Sequence, residues 1–242
     1  KSRPGRNGKK SRDVTMSEIA IEIESMSKSY RGEGEIVHVI RDLDLTVPLG
    51  QIVSVEGASG VGKSTLLHIV GSIDTPVEGK VRIFGEEITS MTERQKENFR
   101  AANVGLIFQH HYLLPDFTVL ENVIMPLWIQ RKNVSKSTDN AIEMLKNVGL
   151  GHRLHHYPSQ ISGGEMARAG VARALVGGKK LILADEPTGN LDRDNSEKLA
   201  DLLWKLQEQL GFTMLIVTHD QDLAARVPRR FRLKEGHLEP FS

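Results

Sequence analysis

Hydrophobic and polar positions change their period along this chain. Between Ile19 and Val55 they alternate, in residues 20–25 (AIEIES), 38–47 (HVIRDLDLTV) and 51–56 (QIVSVE). Period-two alternation predicts short strands, joined by turns at 32–34 and 48–50. Beyond Lys63 the apolar residues lengthen to a helical period. Residues 80–85 (KVRIFG) and 104–109 (VGLIFQ) return to strand, with a helix between them opened at Thr92 and Glu93. From Leu120 to Gly177 the pattern is mainly helical, and in 138–148 Ile142, Leu145 and Val148 fall at helical spacing. Residues 180–185 (KLILAD) and 213–218 (TMLIVT) are near-continuous apolar runs, as expected of strands buried on both faces of a parallel sheet. A helix over 195–210 lies between them. The pattern predicts a strand-and-helix α/β core interrupted by a helical insertion, with no internal repeat.

Composition narrows the class without naming a function. The 242 residues, 39% hydrophobic and 26% charged, suit a soluble globular protein with ample core. A net charge of +1 gives no global attraction to nucleic acid or to an anionic membrane, so either would have to be engaged locally. The absence of cysteine excludes disulfides and thiolate sites and fits a reducing compartment. No stretch reaches the ~18 to 20 apolar residues of a membrane helix. Residues 1–16 are basic and punctuated by Gly and Pro, with no apolar core of a signal peptide, and read as a disordered tail with Met16 a candidate start. His110, His111, His152, His155 and His156 have neither metal-ligand spacing nor a supporting carboxylate or cysteine, and read as polar surface.

The chemistry-bearing stretch is Gly57-Ala58-Ser59-Gly60-Val61-Gly62-Lys63-Ser64-Thr65, which follows a predicted strand and opens a predicted helix. This is G-x-x-x-x-G-K-[ST] in the context it requires. Its glycines let successive backbone N–H groups and the helix N-terminus converge on a polyanion. Lys63 adds a point charge near the β- and γ-phosphates, and Ser64 offers its hydroxyl to Mg²⁺. Asp185 at the end of LILAD can hold the metal through water, and Glu186 can polarise an attacking water as general base. A second double glycine opens a helix in ISGGEMARAGVARAL, residues 161–175.

Together the P-loop, ISGGE, LILADEP, GNLD and VTHD resemble, in order and approximate spacing, the ATPases of ATP-binding-cassette (ABC) transporters, over about Ile19 to Glu239. The resemblance implies an α/β fold: a P-loop NTPase, RecA-like core, an N-terminal antiparallel β subdomain, and a helical subdomain inserted at about 110–177. Residues 17–242 would form one nucleotide-binding domain that takes ATP and Mg²⁺. It implies that Tyr30 stacks on adenine, that Gln109 touches Mg²⁺ and senses the γ-phosphate, and that His219 contacts the γ-phosphate and positions water with Glu186. Asn190-Leu191-Asp192 matches the loop that crosses to the other subunit. Ser162, Gly163 and Gly164 match the signature that cradles the neighbour's nucleotide, so the active unit would be a head-to-tail pair of copies around two Mg·ATP.

Met166 and Ala167 stand where the family commonly carries polar residues, and Gly170 loosens the helix by about 1 kcal/mol relative to Ala if exposed. Residues 110–127 (HHYLLPDFTVLENVIMPL) carry a narrower resemblance, to the ATPase subunits of bacterial lipoprotein-releasing systems within a subfamily that includes macrolide-exporter and cell-division ATPases. That implies integral membrane permease partners of the LolC/LolE type, a peripheral place on the cytoplasmic face of the inner membrane, no nucleic acid, and membrane contact only through partner subunits. Tyr112, Leu113, Leu114, Phe117 and Trp128 read equally as core of the helical subdomain or as a groove receiving a helix of a membrane subunit. A soluble cassette protein acting on ribosomes or DNA would be expected to carry two cassettes or a long coiled coil. A regulatory scaffold would not need Glu186 and His219.

Overall fold

In this computed structural model the described residues are 18–32, 34–130 and 132–241, so the expected basic tail lies outside them. The alternating N-terminal third forms a four-stranded antiparallel sheet. Strand β1 (Ile19–Arg31) pairs with β2 (Ile36–Pro48) on one side and β4 (Glu78–Ile83) on the other, with the short β5 (Glu86–Glu87) beyond β4. The second sheet has six strands: β3 (Ile52–Glu56), β6 (Val104–Phe108), β7 (Leu181–Asp185), β8 (Thr213–Thr218), β9 (Arg229–Lys234) and β10 (His237–Phe241), in the order β10-β9-β3-β8-β7-β6. The pairings from β6 through β9 are parallel, and β10 closes the edge as an antiparallel hairpin with β9.

Successive residues of the central strands feed two different cores. Leu181, Leu183, Leu215 and Val217 join the cluster beneath the antiparallel sheet, with Ile21, Ile40 and Leu66. Ile182, Ala184, Met214 and Ile216 face the other way, into a cluster shared with the helices. Each Leu, Ile, Val or Met among them contributes about 1.5–3 kcal/mol on burial, and two-sided burial is why these strands read as continuous apolar runs.

The helices are α1 (Lys63–Val70), α2 (Glu93–Asn103), α3 (Val119–Ile129), α4 (Val134–Asn147), α5 (Gly163–Leu175), α6 (Arg193–Leu210) and α7 (Gln221–Ala225). Thr92 caps α2 as expected and forms a capping box with Gln95; Thr118 does the same for α3 with Glu121. Helices α3, α4 and α5 pack on one another, but α5 also packs on β6, and this group shares one continuous core with the sheet.

Several expectations are corrected. Helix α4 begins at Val134 rather than 138, and its buried face runs through Ser137, Ala141 and Leu145, with Ile142 only half-buried. Helix α6 begins at Arg193 because Asp192 caps it. The hairpin β9–β10 was not anticipated, although Phe231 and Leu233 alternate with Arg and Lys between Pro228 and Gly236, a strand signal.

Candidate functional site

The carboxyl ends of β3, β6, β7 and β8 and the loops that follow them carry almost every candidate residue. Strand β3 ends at Glu56, and residues 57–62 curl into α1. The turn depends on Gly62, the N-cap of α1, whose φ of 110° lies in the left-handed region; a Cβ there would also meet Val39 Cγ1 at 2.7 Å. The first turn of α1 holds no acidic residue, so its N-terminal dipole faces outward uncompensated. Ala58, Ser59, Gly60 and Ser64 are exposed, Gly57, Val61 and Thr65 half-buried. Lys63 is buried and folds its Nζ back over the loop, donating to Gly57 O at 2.9 Å and Ala58 O at 3.0 Å.

Asp185 is the last residue of β7 and lies opposite Phe108 of β6, so Gln109 follows directly beside it. Glu186 comes next, with φ 46°, a left-handed backbone that costs a non-glycine residue about 1–3 kcal/mol. Four groups converge on its buried carboxylate. Oε2 accepts from Thr218 Oγ1 at 2.8 Å and from the His219 backbone N–H at 3.1 Å. Oε1 lies 2.8 Å from His219 Nδ1 and 3.6 Å from Lys63 Nζ. The expected set of Lys63, Glu186 and His219 is thus assembled within one chain. Thr218 was not foreseen, although a polar residue ending a fully buried strand was a visible signal.

Gln109 and Asn190 are bonded to each other twice: Gln109 Nε2 donates to Asn190 Oδ1 at 3.2 Å, and Asn190 Nδ2 donates to Gln109 O at 3.0 Å. The turn after Glu186 is thereby tied to the end of β6. Asp192 spends its carboxylate on α6, accepting from Asn195 N at 2.8 Å and Asn195 Nδ2 at 2.7 Å. These bonds hold the Asp192 carboxyl below its usual range.

Tyr30 is exposed at the end of β1, and its hydroxyl donates to Asp74 Oδ2 at 2.8 Å. Burial, followed by that bond, pushes the phenol up. Burial would raise Asp74 as well, but hydrogen bonds from Lys28 and Tyr30 outweigh it and hold the carboxyl down. Lys28 Nζ, 2.6 Å from Asp74 Oδ1, also lies 4.8 Å from the Tyr30 ring centroid. The Lys28–Asp74 brace carries no signal in the sequence.

The second double glycine belongs to different packing. Ser162 caps α5 in a capping box: its Oγ accepts from Glu165 N at 3.2 Å, and Glu165 Oε2 accepts from Ser162 N at 2.9 Å. Gly163 is exposed, and Gly164 is buried so tightly that a Cβ would meet Asn195 Oδ1 at 2.7 Å. Helix α5 packs on α3, α4, α6 and β6, while α1 packs on β7 and β8. Ala167 and Gly170 are buried, and Met166 is half-buried against the helical core. Gly170 is buried, so the cost that an exposed glycine would carry in this helix does not apply, and the two apolar departures are packing positions. Arg173 of α5 reaches across to His111 O and Tyr112 O, each at 2.6 Å, fixing the segment after Gln109. In that segment Leu113 packs against the core, while Tyr112, Leu114, Phe117 and Trp128 stay exposed.

A phosphate-binding turn, a buried carboxylate shared by a lysine and a histidine, and a six-stranded, largely parallel sheet define a nucleotide-hydrolysing cassette. The sequence pattern of the ABC transporter family matches residues 40–189, and the chain belongs to that family, whose members hydrolyse ATP. The lipoprotein-releasing system ATP-binding protein LolD of Shewanella oneidensis is 43% identical over 224 residues, 93% of this chain and 97% of that protein. Its counterpart in Shewanella denitrificans is 45% identical over 216 residues, 89% and 93% of the two chains. Among solved structures, the dimeric form of MJ0796, a bacterial ABC transporter cassette, superposes with a TM-score of 0.83 at 37% identity, covering 90% of this chain and 96% of that one. MJ0796 in a dimeric post-hydrolysis state bound to ADP and Pi also gives 0.83, at 35% identity and 92% and 99% coverage.

Proposed function

We propose that this chain is the ATPase subunit of a lipoprotein-releasing ABC transporter, peripheral to the cytoplasmic face of an inner membrane and working through integral permease subunits of the LolC/LolE type. The observation that carries the chemistry is the convergence of Lys63, Thr218 and His219 on Glu186. The identity to LolD proteins along nearly the whole chain supports the cargo. The exposed apolar residues around Tyr112 and Trp128, beside the segment that Arg173 pins, offer the membrane subunits a surface.

Within one chain, the N-terminus of α1, the backbone of residues 57–62 and Lys63 bind the phosphates, and Tyr30, braced by Asp74, stacks on adenine. Glu186 Oε1 accepts a proton from the attacking water, whose oxygen bonds to the γ-phosphorus as the bond to the bridging oxygen breaks, leaving ADP and phosphate. Thr218 and the His219 N–H hold Oε2, which fixes the rotamer and leaves Oε1 to aim. His219 shares the charge on Oε1 and faces the γ-phosphate. Gln109 and Asp185, at the adjacent ends of β6 and β7, and Ser64, in the first turn of α1, supply hard oxygen donors, which fits Mg²⁺. When bound there, Mg²⁺ neutralises charge on the β- and γ-phosphates. Ser162, Gly163 and Gly164 open a helix remote from α1 in packing, which supports their service to a second copy's nucleotide, with Asn190, Leu191 and Asp192 at the crossing.

The test is Glu186→Gln. It should cut kcat by about 10²- to 10⁴-fold while Mg·ATP drives the variant into dimers by sedimentation. A variant that stays monomeric, both alone and with its permease subunits, refutes the shared site. For the cargo, reconstitution with LolC/LolE-type subunits should give ATP-dependent release of a lipoprotein from proteoliposomes, and no release refutes that reading.

A further inference from the structure

At the opposite end of the parallel sheet from the site above lies a cavity of about 1040 Å³. It opens where β7 and β8 begin, around Lys180 and Thr213, and is walled by one side of α4 along its length, from Lys136 to Asn147. At about 3.3 Å per residue, the five residues of β7 alone put roughly 15 Å between it and Glu186. Lys132, Lys136, Lys179 and Lys180 line it, with Glu143 the one acidic side chain among the lining residues. In a chain of net charge +1, an excess of three positive charges is gathered into one concavity. Among the described residues none of the four lysines is ion-paired.

Lys179 makes the arrangement costly. It is 7% exposed and donates to a carbonyl, Ala101 O, rather than to a carboxylate. Burial, together with the nearby Lys132 charge, pulls its ammonium down to about 8. Lys132 Nζ sits over the turn at Gly177, 3.7 Å from where a Cβ would stand, and that turn lines the same cavity. Four positive side chains line the cavity against one negative, Glu143, and none is ion-paired among the described residues, so an anion entering the cavity relieves a repulsion the fold maintains. Asn133, Asn140 and Thr213 supply hydrogen-bonding groups beside the lysines.

We propose that this cavity binds a small, multiply charged phosphate ligand of the soluble polyphosphate class, at a site separate from the nucleotide's. Such a ligand bridges Lys136 of α4 to Lys180 at the foot of β7 and so ties the helical group to the sheet.

The probe is tripolyphosphate, titrated calorimetrically into the full chain saturated with ADP in EDTA, so that the P-loop is already filled. Binding is expected to persist under these conditions. It should weaken by about tenfold or more in the triple variant Lys132→Ala, Lys136→Ala, Lys180→Ala, and at raised salt, and should be retained in the corresponding triple Arg variant. All three positions are exposed, and an unchanged Tm and ADP affinity verify that the variant is folded. Failure to bind, or equal affinity in the Ala variant, overturns the proposal. Vesicles of phosphatidylcholine and phosphatidic acid form a second arm. Lysine-dependent co-sedimentation with them, without binding of tripolyphosphate, also overturns it by assigning the site to a lipid headgroup.

Discussion

Replacing Glu165 by Gln tests how firmly the start of α5 is held. Glu165 Oε2 accepts from Ser162 N at 2.9 Å, and Oε1 accepts from Arg153 Nε at 2.9 Å. Its side chain is 13% exposed. The Ser162 backbone bond, opposed by burial and reinforced by Arg153, lowers its carboxyl from the usual 4.5 to about 2. At 1.36 kcal/mol per unit, that gap corresponds to about 3 kcal/mol before screening. Water reaches the Arg153 partner, which is 32% exposed. Gln also retains an oxygen for the Ser162 N–H, so the expected loss at pH 7 is about 1–2 kcal/mol. The folded-state value is depressed, so the carboxylate's contribution is complete above pH 4.5 and is lost as pH falls toward 2. Urea unfolding of both proteins at pH 7 and pH 3 should show the difference shrinking by about half or more at the lower pH. An equal difference at both pH values would refute the charge argument and leave only the cap.

Three further outcomes follow from the same geometry. Asp74→Ala frees the Tyr30 hydroxyl, and KM for ATP should rise about two- to tenfold with kcat little changed; an unaltered KM separates Tyr30 from adenine binding. Asn190→Ala cuts both bonds to Gln109 and should lower kcat by roughly three- to tenfold without a comparable change in ADP affinity; steady-state kinetics showing full kcat would make that link merely structural. Gly62→Ala forces a side chain into φ 110° and against Val39, so it should cost about 2 kcal/mol or more in a denaturant melt and abolish ADP binding.

Residues that act through backbone geometry or local spacing were legible in the sequence. The P-loop, the Asp185–Glu186 step and the helix opened at Gly163-Gly164 are each set by neighbours a few positions away, and each lies where its pattern implied. Contacts that join distant segments were not legible. Lys28 reaches Asp74 across 46 positions and Asn190 reaches Gln109 across 81, and nothing local in either segment announces the partner. The burial of Gly170 and of the Ser137 and Ala141 flank of α4 was not legible for a related reason. Helical spacing shows that a face exists, but the neighbouring elements decide which flank is covered. Here His111 lies over Gly170, and α3 and α5 pack on α4.

The division of β7 and β8 between two apolar cores has a bearing on how the protein can misfold. In a sheet with one wet face, a slip of one residue buries charge and is rejected at once. Here Leu181 and Ile182 would simply exchange cores, and the collapsed product would still look well buried. Such a slip would carry Asp185 and Glu186 about 3.3 Å along the sheet, away from Lys63 and His219. Hydrophobicity therefore proofreads these strands poorly, and the polar contacts at their carboxyl ends serve as the register mark. An off-register chain would pass a test of compactness and fail a test of nucleotide turnover, so activity per folded molecule reports folding fidelity that a melting curve does not.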